Sequence, residues 1–327
     1  MHALQLIGTG NAGGSLRIRE AAAILKRGGL VAFPTETVYG LGADASQPAA
    51  VARIYAAKGR PADHPVIVHL GDPGQIARWA RDVPDVAKRL MARYWPGPLT
   101  LVLRRADGVG DYLTGGQDTI GLRMPGHPIA LELLREFGGG IAAPSANKFG
   151  RISPTTAEHV HNDLGEEVDL ILDGGPCEVG IESTILDLSR ETPTLLRPGR
   201  ISAEDIAATI GFPSKPADPG APRAPGTLES HYAPRKTMRL VASSQWSEAA
   251  RAASPRRGVL ALRPQPAGDS STMWIDAPRE PQGYAHDLYA NLRALDSSGC
   301  DEILVEAPPA TAEWAAVRDR LARARSI

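Results

Sequence analysis

The 327-residue sequence predicts an α/β protein in two parts, and three observations predict it. Short apolar runs alternate with stretches of helical period along most of the chain. A proline-rich stretch, FPSKPADPGAPRAPG at 212–226, then interrupts the alternation with five prolines and three charged side chains. A second, shorter alternation follows. The expected organisation is a domain over residues 1–211, a linker over 212–236 and a smaller α/β domain over 237–327.

The elements follow in order. Leu4–Ile7 is a first short strand, and Gly8, Gly10 and Gly13 after it formally make G-x-G-x-x-G before a helix over 15–27. Residues 28–60 then form the stretch on which the rest is organised. Leu30-Val31-Ala32-Phe33 is a buried strand ended by Pro34, and Thr35, Glu36, Thr37 and Tyr39 crowd the turn behind it. Ser46 and Pro48 mark the start of a helix over 47–57. Gly59 and Pro61 stop that helix, leaving Lys58 and Arg60 at its exit. Val66–Leu70 is a strand carrying His69, and residues 74–93 repeat apolar side chains at helical spacing. Leu99–Arg104 and Thr119–Pro125 are strands, 128–137 is a helix, and Gly140–Ala143 runs into Pro144-Ser145-Ala146-Asn147. Thr155 with Glu158 forms a capping box for a helix that stops near Gly165. Strands at 168–172, 181–188 and 194–197 come next, then a helix capped by Ser202 and closed by Gly211. Beyond the linker, strands are expected at 238–241, 258–262, 272–275 and 302–306, with helices at 245–253, 283–296 and 311–325.

The formal charge of -1 indicates no bulk polyelectrolyte partner, although it permits a local basic cleft. Cys177 and Cys300 are far apart and lack metal-ligand spacing, which fits a reducing cytoplasm. No charged-then-apolar leader opens the chain and no apolar run approaches a membrane span of about 20 residues. A cytoplasmic protein without a membrane partner is expected.

P-loop, zinc and nucleophile-elbow patterns are missing from the sequence. Polar side chains instead recur where apolar strands stop: Thr35 and Thr37, Lys58 and Arg60, His69, Thr119 and Arg123, Ser145 and Asn147, Ser183, and Arg197. Each alone has an ordinary structural reading, such as a solvated helix exit, a core histidine or turn chemistry. Their joint recurrence points to a ligand at the carboxyl ends of the strands. Cations with hydroxyl and amide donors match a polyphosphate. The same cations would also serve an RNA-binding module, and the glycine pattern with Glu36 some twenty residues on would serve a dinucleotide.

Six segments carry a closer resemblance. Phe33-Pro-Thr-Glu-Thr-Val-Tyr-Gly-Leu41, Lys58-Gly-Arg-Pro61, Tyr94-Trp-Pro-Gly-Pro-Leu-Thr100, Ala143-Pro-Ser-Ala-Asn147, Ile181-Glu-Ser-Thr-Ile185 and Arg197-Pro-Gly199 resemble signatures of the YrdC-like family. His231-Tyr-Ala-Pro234 and the trailing domain resemble the long, two-domain form of that family. The resemblance covers about residues 15–327. It implies a twisted mixed sheet around a concave basic cleft, with a smaller Rossmann-like domain behind it.

The activity implied is condensation of L-threonine, bicarbonate and ATP into threonylcarbamoyl-adenylate with release of pyrophosphate. A downstream transferase complex would place the activated group on tRNA. By motif, Lys58 and Arg60 are the catalytic cations on the phosphates, and His64, Ser145, Asn147, Arg197 and Tyr232 are further nucleotide contacts. Thr35, Thr37, His69, Thr119, Arg123 and Ser183 would form the threonine pocket, with Arg123 facing its carboxylate. Mg²⁺ is expected with the triphosphate, and no protein-held metal site is expected. Two departures stand out. His64 occupies a place where the family usually has asparagine, and Ala224-Pro-Gly-Thr-Leu-Glu-Ser-His-Tyr232 replaces a linker close to Ser-Pro-Gly-Met. A relative that forms a carbamoyl-adenylate for another acceptor is the alternative within the same fold.

Overall fold

A computed structural model describes residues 7–8, 13–228, 230–254 and 256–325. Leu4–Leu6 of the expected first strand and Gly10 of the glycine pattern lie outside the described residues. The chain divides into two compact units. The first comprises the chain up to Phe149, Pro154–Glu178 and Glu182–Thr227, and the second Gly150–Ser153, Val179–Ile181 and Leu228–Ile327.

The first unit opens with β1 (Ile7–Gly8), α1 (Gly13–Lys26), β2 (Val31–Phe33), β3 (Gly40–Asp44), α2 (Pro48–Lys58) and β4 (Ile67–His69). It continues through α3 (Asp85–Tyr94), β5 (Leu99–Arg104), α4 (Asp111–Thr114), β6 (Thr119–Arg123), α5 (Pro128–Phe137) and β7 (Ile141–Ala142). The last elements are α6 (Ala157–Leu164), β8 (Leu170–Asp173), β9 (Thr184–Asp187), β10 (Thr194–Arg197), α7 (Ala203–Ile210) and β11 (Lys215–Pro216). Among the described residues these strands form one sheet in the order β1-β8-β2-β3-β7-β4-β6-β5-β9-β10-β11. It is mixed: β2–β8, β4–β6 and β5–β9 run parallel, while β2–β3, β4–β7, β5–β6 and β9–β10 run antiparallel.

Helices cover both faces, as the unbroken apolar strands require. On one face Ile18 and Leu25 of α1 pack with Leu133 and Leu134 of α5 against Phe33 and Ile141. On the other, Val51, Ile54, Leu90, Val160 and Ile206 pack against Ala32, Leu41 and Leu101. Alternation along β2 sends Ala32 to one layer and Val31 and Phe33 to the other. Burial of each large side chain stabilises the fold by roughly 1.5–3 kcal/mol.

Several local expectations shift. The residues after Tyr39 form a strand, β3, rather than continuing the turn. Gly42 permits it, because a Cβ there would lie 2.8 Å from Phe33 and 2.9 Å from Ile141. Ser46 does not cap α2; its N–H and hydroxyl both donate to Asp44 Oδ1, and Gln47 is the N-cap. That short Asp-centred turn competes with the capping geometry. The apolar period over 74–93 spans two elements, a 3₁₀ turn at Pro73–Arg78 and α3, separated at Pro84, which has no N–H to continue a helix. Thr156, not Thr155, caps α6 by accepting from His159 N at 3.2 Å. Ser202 caps α7 as expected, in a full box with Asp205.

The proline-rich stretch is partly structured. β11 pairs with β10, Asp218 pairs with Arg190 at 3.2 Å, and Gln117 exchanges hydrogen bonds with the Arg223 backbone at 2.7 and 3.1 Å. Residues as far as Thr227 therefore belong to the first unit.

In the second unit β12 (Thr237–Val241), α8 (Trp246–Ala252), β13 (Arg257–Ala261), β14 (Met273–Asp276), α9 (Pro281–Ser297), β15 (Glu302–Glu306) and α10 (Ala315–Ala324) build a parallel sheet ordered β12-β15-β13-β14. Gly180 reaches this unit at φ +79°, where a Cβ would meet the His286 carbonyl oxygen at 2.3 Å. Cys177 and Cys300 are both buried and free. Among the described residues no helix is long and apolar enough to cross a membrane.

Candidate functional site

The first unit gathers its polar residues at strand ends and at the exit of α2. Gly59 adopts the left-handed conformation (φ 62°) and turns the chain out of the helix between Lys58 and Arg60. The Lys58 ammonium, which is 2% exposed, donates to the Ser145 carbonyl at 2.6 Å and the Asn147 carbonyl at 2.5 Å. The Lys58 carbonyl accepts from Phe149 N at 2.8 Å, so helix exit and Ser145–Phe149 loop form one piece. Burial, and then the neighbouring Arg60, push the lysine well below its usual range. An anionic ligand placed here would reverse that shift.

Arg60 donates from Nη2 to the Pro65 carbonyl at 2.8 Å, and its guanidinium carbon lies 5.6 Å from the centre of the Phe149 ring. The His64 ring packs edge-on to the same phenyl, 5.4 Å away. Lys58, Arg60, His64, Ser145 and Asn147 thus fall around one loop and one helix exit. Asn147 donates its side-chain amide to the Lys148 carbonyl at 2.8 Å.

A second group sits behind β2 and at the end of β6. Thr35 and Thr37 share a hydrogen bond at 2.8 Å, and Arg123 donates to Thr37 at 2.9 Å, Glu36 at 2.7 Å and the Gly97 carbonyl at 3.2 Å. The other Glu36 oxygen accepts from Gly126 N at 2.9 Å. Glu36 is therefore the counter-ion of Arg123 within the site. Arg123 has five N–H donors and uses three of them in these bonds, so two remain.

His69 lies beside Arg123 in the β4–β6 register. Burial, and then Arg123, push it down to about 3, so it is a neutral imidazole at working pH. Its Nδ1 makes no hydrogen bond among the described residues. A buried polar atom without a partner is what a substrate hydroxyl or ammonium would satisfy.

The third group lies where β5, β9 and β10 meet. Ser183 and Thr100 hydroxyls are 2.8 Å apart, and Arg197 donates to the Ser183 hydroxyl at 3.2 Å and carbonyl at 3.0 Å. Arg197 also donates to the Pro225 carbonyl at 2.8 Å. Thr119 borders a cavity of about 10 Å³ with Ile67, Thr100, Gly121, Ala224 and Pro225, space for about one water.

Tyr232 belongs to the second unit. It is 1% exposed with φ 63°, its ring lying 5.7 Å from Tyr289 and beneath the Arg320 guanidinium at 5.4 Å.

Sequence reasoning did not select Phe149, Thr100, Pro225 or the role of Glu36. A lone phenylalanine after Asn147-Lys148 carries no chemical signal, and a carbonyl acceptor carries none in any sequence. Glu36 could have been found, since a carboxylate beside two threonines needs a cation when buried.

Burial also bears on the RNA alternative. Lys58, Arg60, Arg123 and Arg197 are 2–8% exposed, which leaves little of their surface for an open nucleic-acid backbone. Glu36, which a dinucleotide fingerprint would aim at a ribose, instead pairs with Arg123.

Comparison with known proteins divides the chain near residue 200, ahead of the end of the first unit at Thr227. The family Sua5_yciO_yrdC, described as Telomere recombination, matches residues 23–199, and the threonylcarbamoyl-AMP synthase C-terminal domain matches residues 201–326. A threonylcarbamoyl-AMP synthase of Bacillus subtilis is 42% identical over 94% of this chain and 92% of its own length. One from Pyrococcus abyssi is 40% identical over 94% of both chains. Among solved structures, a double variant of P. abyssi Sua5 superposes with a TM-score of 0.89 at 35% identity, covering 99% of this chain and 98% of that one. P. abyssi Sua5 complexed with L-threonine gives a TM-score of 0.84 at 37% identity, covering 96% of each.

Proposed function

This chain belongs to the Sua5_yciO_yrdC family and carries the Sua5 C-terminal domain, and from that premise we infer that it is an L-threonylcarbamoyladenylate synthase, an enzyme of nucleotidyl transfer. Its substrates are L-threonine, bicarbonate and ATP, its product serves tRNA threonylcarbamoyladenosine modification, and pyrophosphate leaves. The observation that carries the reading is the gathering of Lys58, Arg60, Arg123 and Arg197, all buried, with hydroxyls and an unpartnered imidazole nitrogen within one unit. The near full-length similarity to synthases supports it.

In the proposed chemistry the threonine amine and bicarbonate form a carbamate with loss of water. A carbamate oxygen attacks the α-phosphorus of ATP, and the bond to pyrophosphate breaks. Attacking group and phosphate are both negative, so cations that offset the growing charge supply the catalysis. Lys58 and Arg60 are assigned to the phosphates, with His64, Ser145, Asn147 and Arg197 of the same unit as further nucleotide contacts. Thr35, Thr37, His69, Thr119, Arg123 and Ser183 are assigned to threonine, with Arg123 on its carboxylate. A neutral His69 suits a donor-bearing group such as the threonine hydroxyl. Enclosure limits hydrolysis of the mixed anhydride.

Mg²⁺ enters as part of the nucleotide substrate. We assign the ion to the triphosphate oxygens of that substrate. We place the reaction in the cytoplasm, upstream of a transferase that delivers the group to tRNA.

The test is pyrophosphate release from ATP and bicarbonate with L-threonine, with L-serine and with no amino acid. Release that requires threonine and bicarbonate together, with weaker serine turnover, supports the reading. Release independent of the amino acid, or driven by carbamoyl phosphate, replaces it with carbamoyl-adenylate formation for another acceptor.

A further inference from the structure

We propose that His64 takes up a proton as ATP binds, and that Phe149 is a positioning residue holding His64 and Arg60 in place for the phosphates. The proposal rests on the assignment of Lys58 and Arg60 to the triphosphate. The main chain of Phe149 is fixed to the Lys58 carbonyl at 2.8 Å, which sets its ring beside the helix exit. One side of the environment of that ring is the Arg60 guanidinium, 5.6 Å from the ring centre, and another is the His64 imidazole at 5.4 Å and an interplanar angle of 68°. The backbone around His64 is held as well, since Tyr55 Oη donates to the His64 carbonyl at 3.1 Å and Arg60 to the next carbonyl, Pro65, at 2.8 Å. The imidazole itself is 23% exposed, open enough to meet a ligand and exchange a proton.

The charges facing His64 set the direction of the effect. Arg60 comes from the helix exit, Arg223 from the linker segment and Asp63 from the neighbouring position, with its Oδ1 3.9 Å from His64 Nε2. Burial, then Arg60, then Arg223 lower the proton affinity of the ring, while Asp63 raises it, and the net shift is downward. Phosphate oxygens would act in the opposite sense. Binding and protonation then favour each other, so ATP affinity rises as pH falls through the range where His64 titrates.

The test is calorimetric titration with ATP of wild type, His64→Asn and Phe149→Leu at pH 6 and pH 8, in buffers of differing ionisation heat. Protonation of ATP itself is common to all three proteins. Wild type should take up more protons per ATP at pH 6 than His64→Asn, and lose several-fold more affinity between the two pH values. Phe149→Leu should raise KM for ATP up to about tenfold, in line with a desolvated cation–π contact, while kcat and KM for threonine stay within about twofold. Equal proton uptake by wild type and His64→Asn overturns the His64 role. An unchanged KM for ATP in a folded Phe149→Leu overturns the positioning role. Absence of saturable ATP binding by wild type would instead remove the phosphate assignment on which both rest.

Discussion

The two units treat buried positive charge differently. In the second, Arg257 meets the Asp269 carboxylate at 2.5 Å, Arg320 meets Asp319 at 2.7 Å, and Glu306 at the end of β15 accepts from Arg263, Ser243 and Leu262 N. In the first, Lys58 makes no ion pair among the described residues and rests on two carbonyl oxygens. Arg60 and Arg197 donate to the carbonyls of Pro65, Ser183 and Pro225, and Arg197 also to the Ser183 hydroxyl. A carbonyl orients a cation without cancelling its charge, whereas a carboxylate does both. Buried arginine thus meets carboxylates in the second unit, and in the first Arg60 and Arg197 donate to main-chain carbonyls. Arg123 is intermediate, with Glu36 beside it and two N–H donors remaining.

The widest separation between the units should come from removing a carbonyl-held cation. Lys58→Met or Arg60→Met should lower kcat/KM for pyrophosphate release by 10²- to 10³-fold, roughly 3–4 kcal/mol of transition-state stabilisation, with the fold retained by circular dichroism. Near wild-type turnover in either variant would erase the distinction drawn above.

Acid provides the next test, because the units should weaken in different pH windows. His69 has its folded value pushed down to about 3, against about 6.5 in an unfolded chain, so the unfolded state binds the extra proton. Its contribution weakens the first unit as pH falls from about 6.5 toward 3. Glu306 is also held low, by different causes: burial raises it, but donors from Arg263, Ser243 and Leu262 outweigh burial and leave it below 4.5. Its stabilisation is complete above that value and is lost as pH falls through the lower folded value. Hydrogen exchange at pH 7, 5.5 and 4 should show the first unit loosening before the second, with His69→Gln flattening the first profile and Glu306→Gln the second. Simultaneous loosening at pH 5.5 would mean that other groups govern both.

The smallest effect tests a residue outside either charge system. Ser202→Ala removes one half of the capping box of α7 and should cost about 1 kcal/mol in urea unfolding, with pyrophosphate release unchanged.

Much of the site could be read in the chain because its chemistry lies in short segments. Lys58-Gly-Arg60 is set by the stop of one helix, and Ser145 to Asn147 by one loop. The pairing of Arg123 with Glu36, 87 positions apart, was not legible in that way, nor was Thr100 beside Ser183. Such partners are chosen by strand register, and the register of β4, β5, β6 and β9 depends on which strands neighbour one another in the sheet. Strand β3 was missed for a related reason. Gly40-Leu-Gly-Ala-Asp44 has weak strand propensity, and its place is secured by close packing of Phe33 and Ile141 over Gly42.

By itself, the sequence determined the alternation of elements, the proline-rich break, and which residue types stand at each strand end. Apolar periodicity, proline, glycine and capping side chains act over a few residues, so their effect is local. Tertiary packing set which buried cations lie against a carboxylate and which donate to main-chain carbonyls. That outcome depends on groups far apart in sequence meeting in a dry interior, where a partner's distance and formal charge fix the balance between desolvation and attraction.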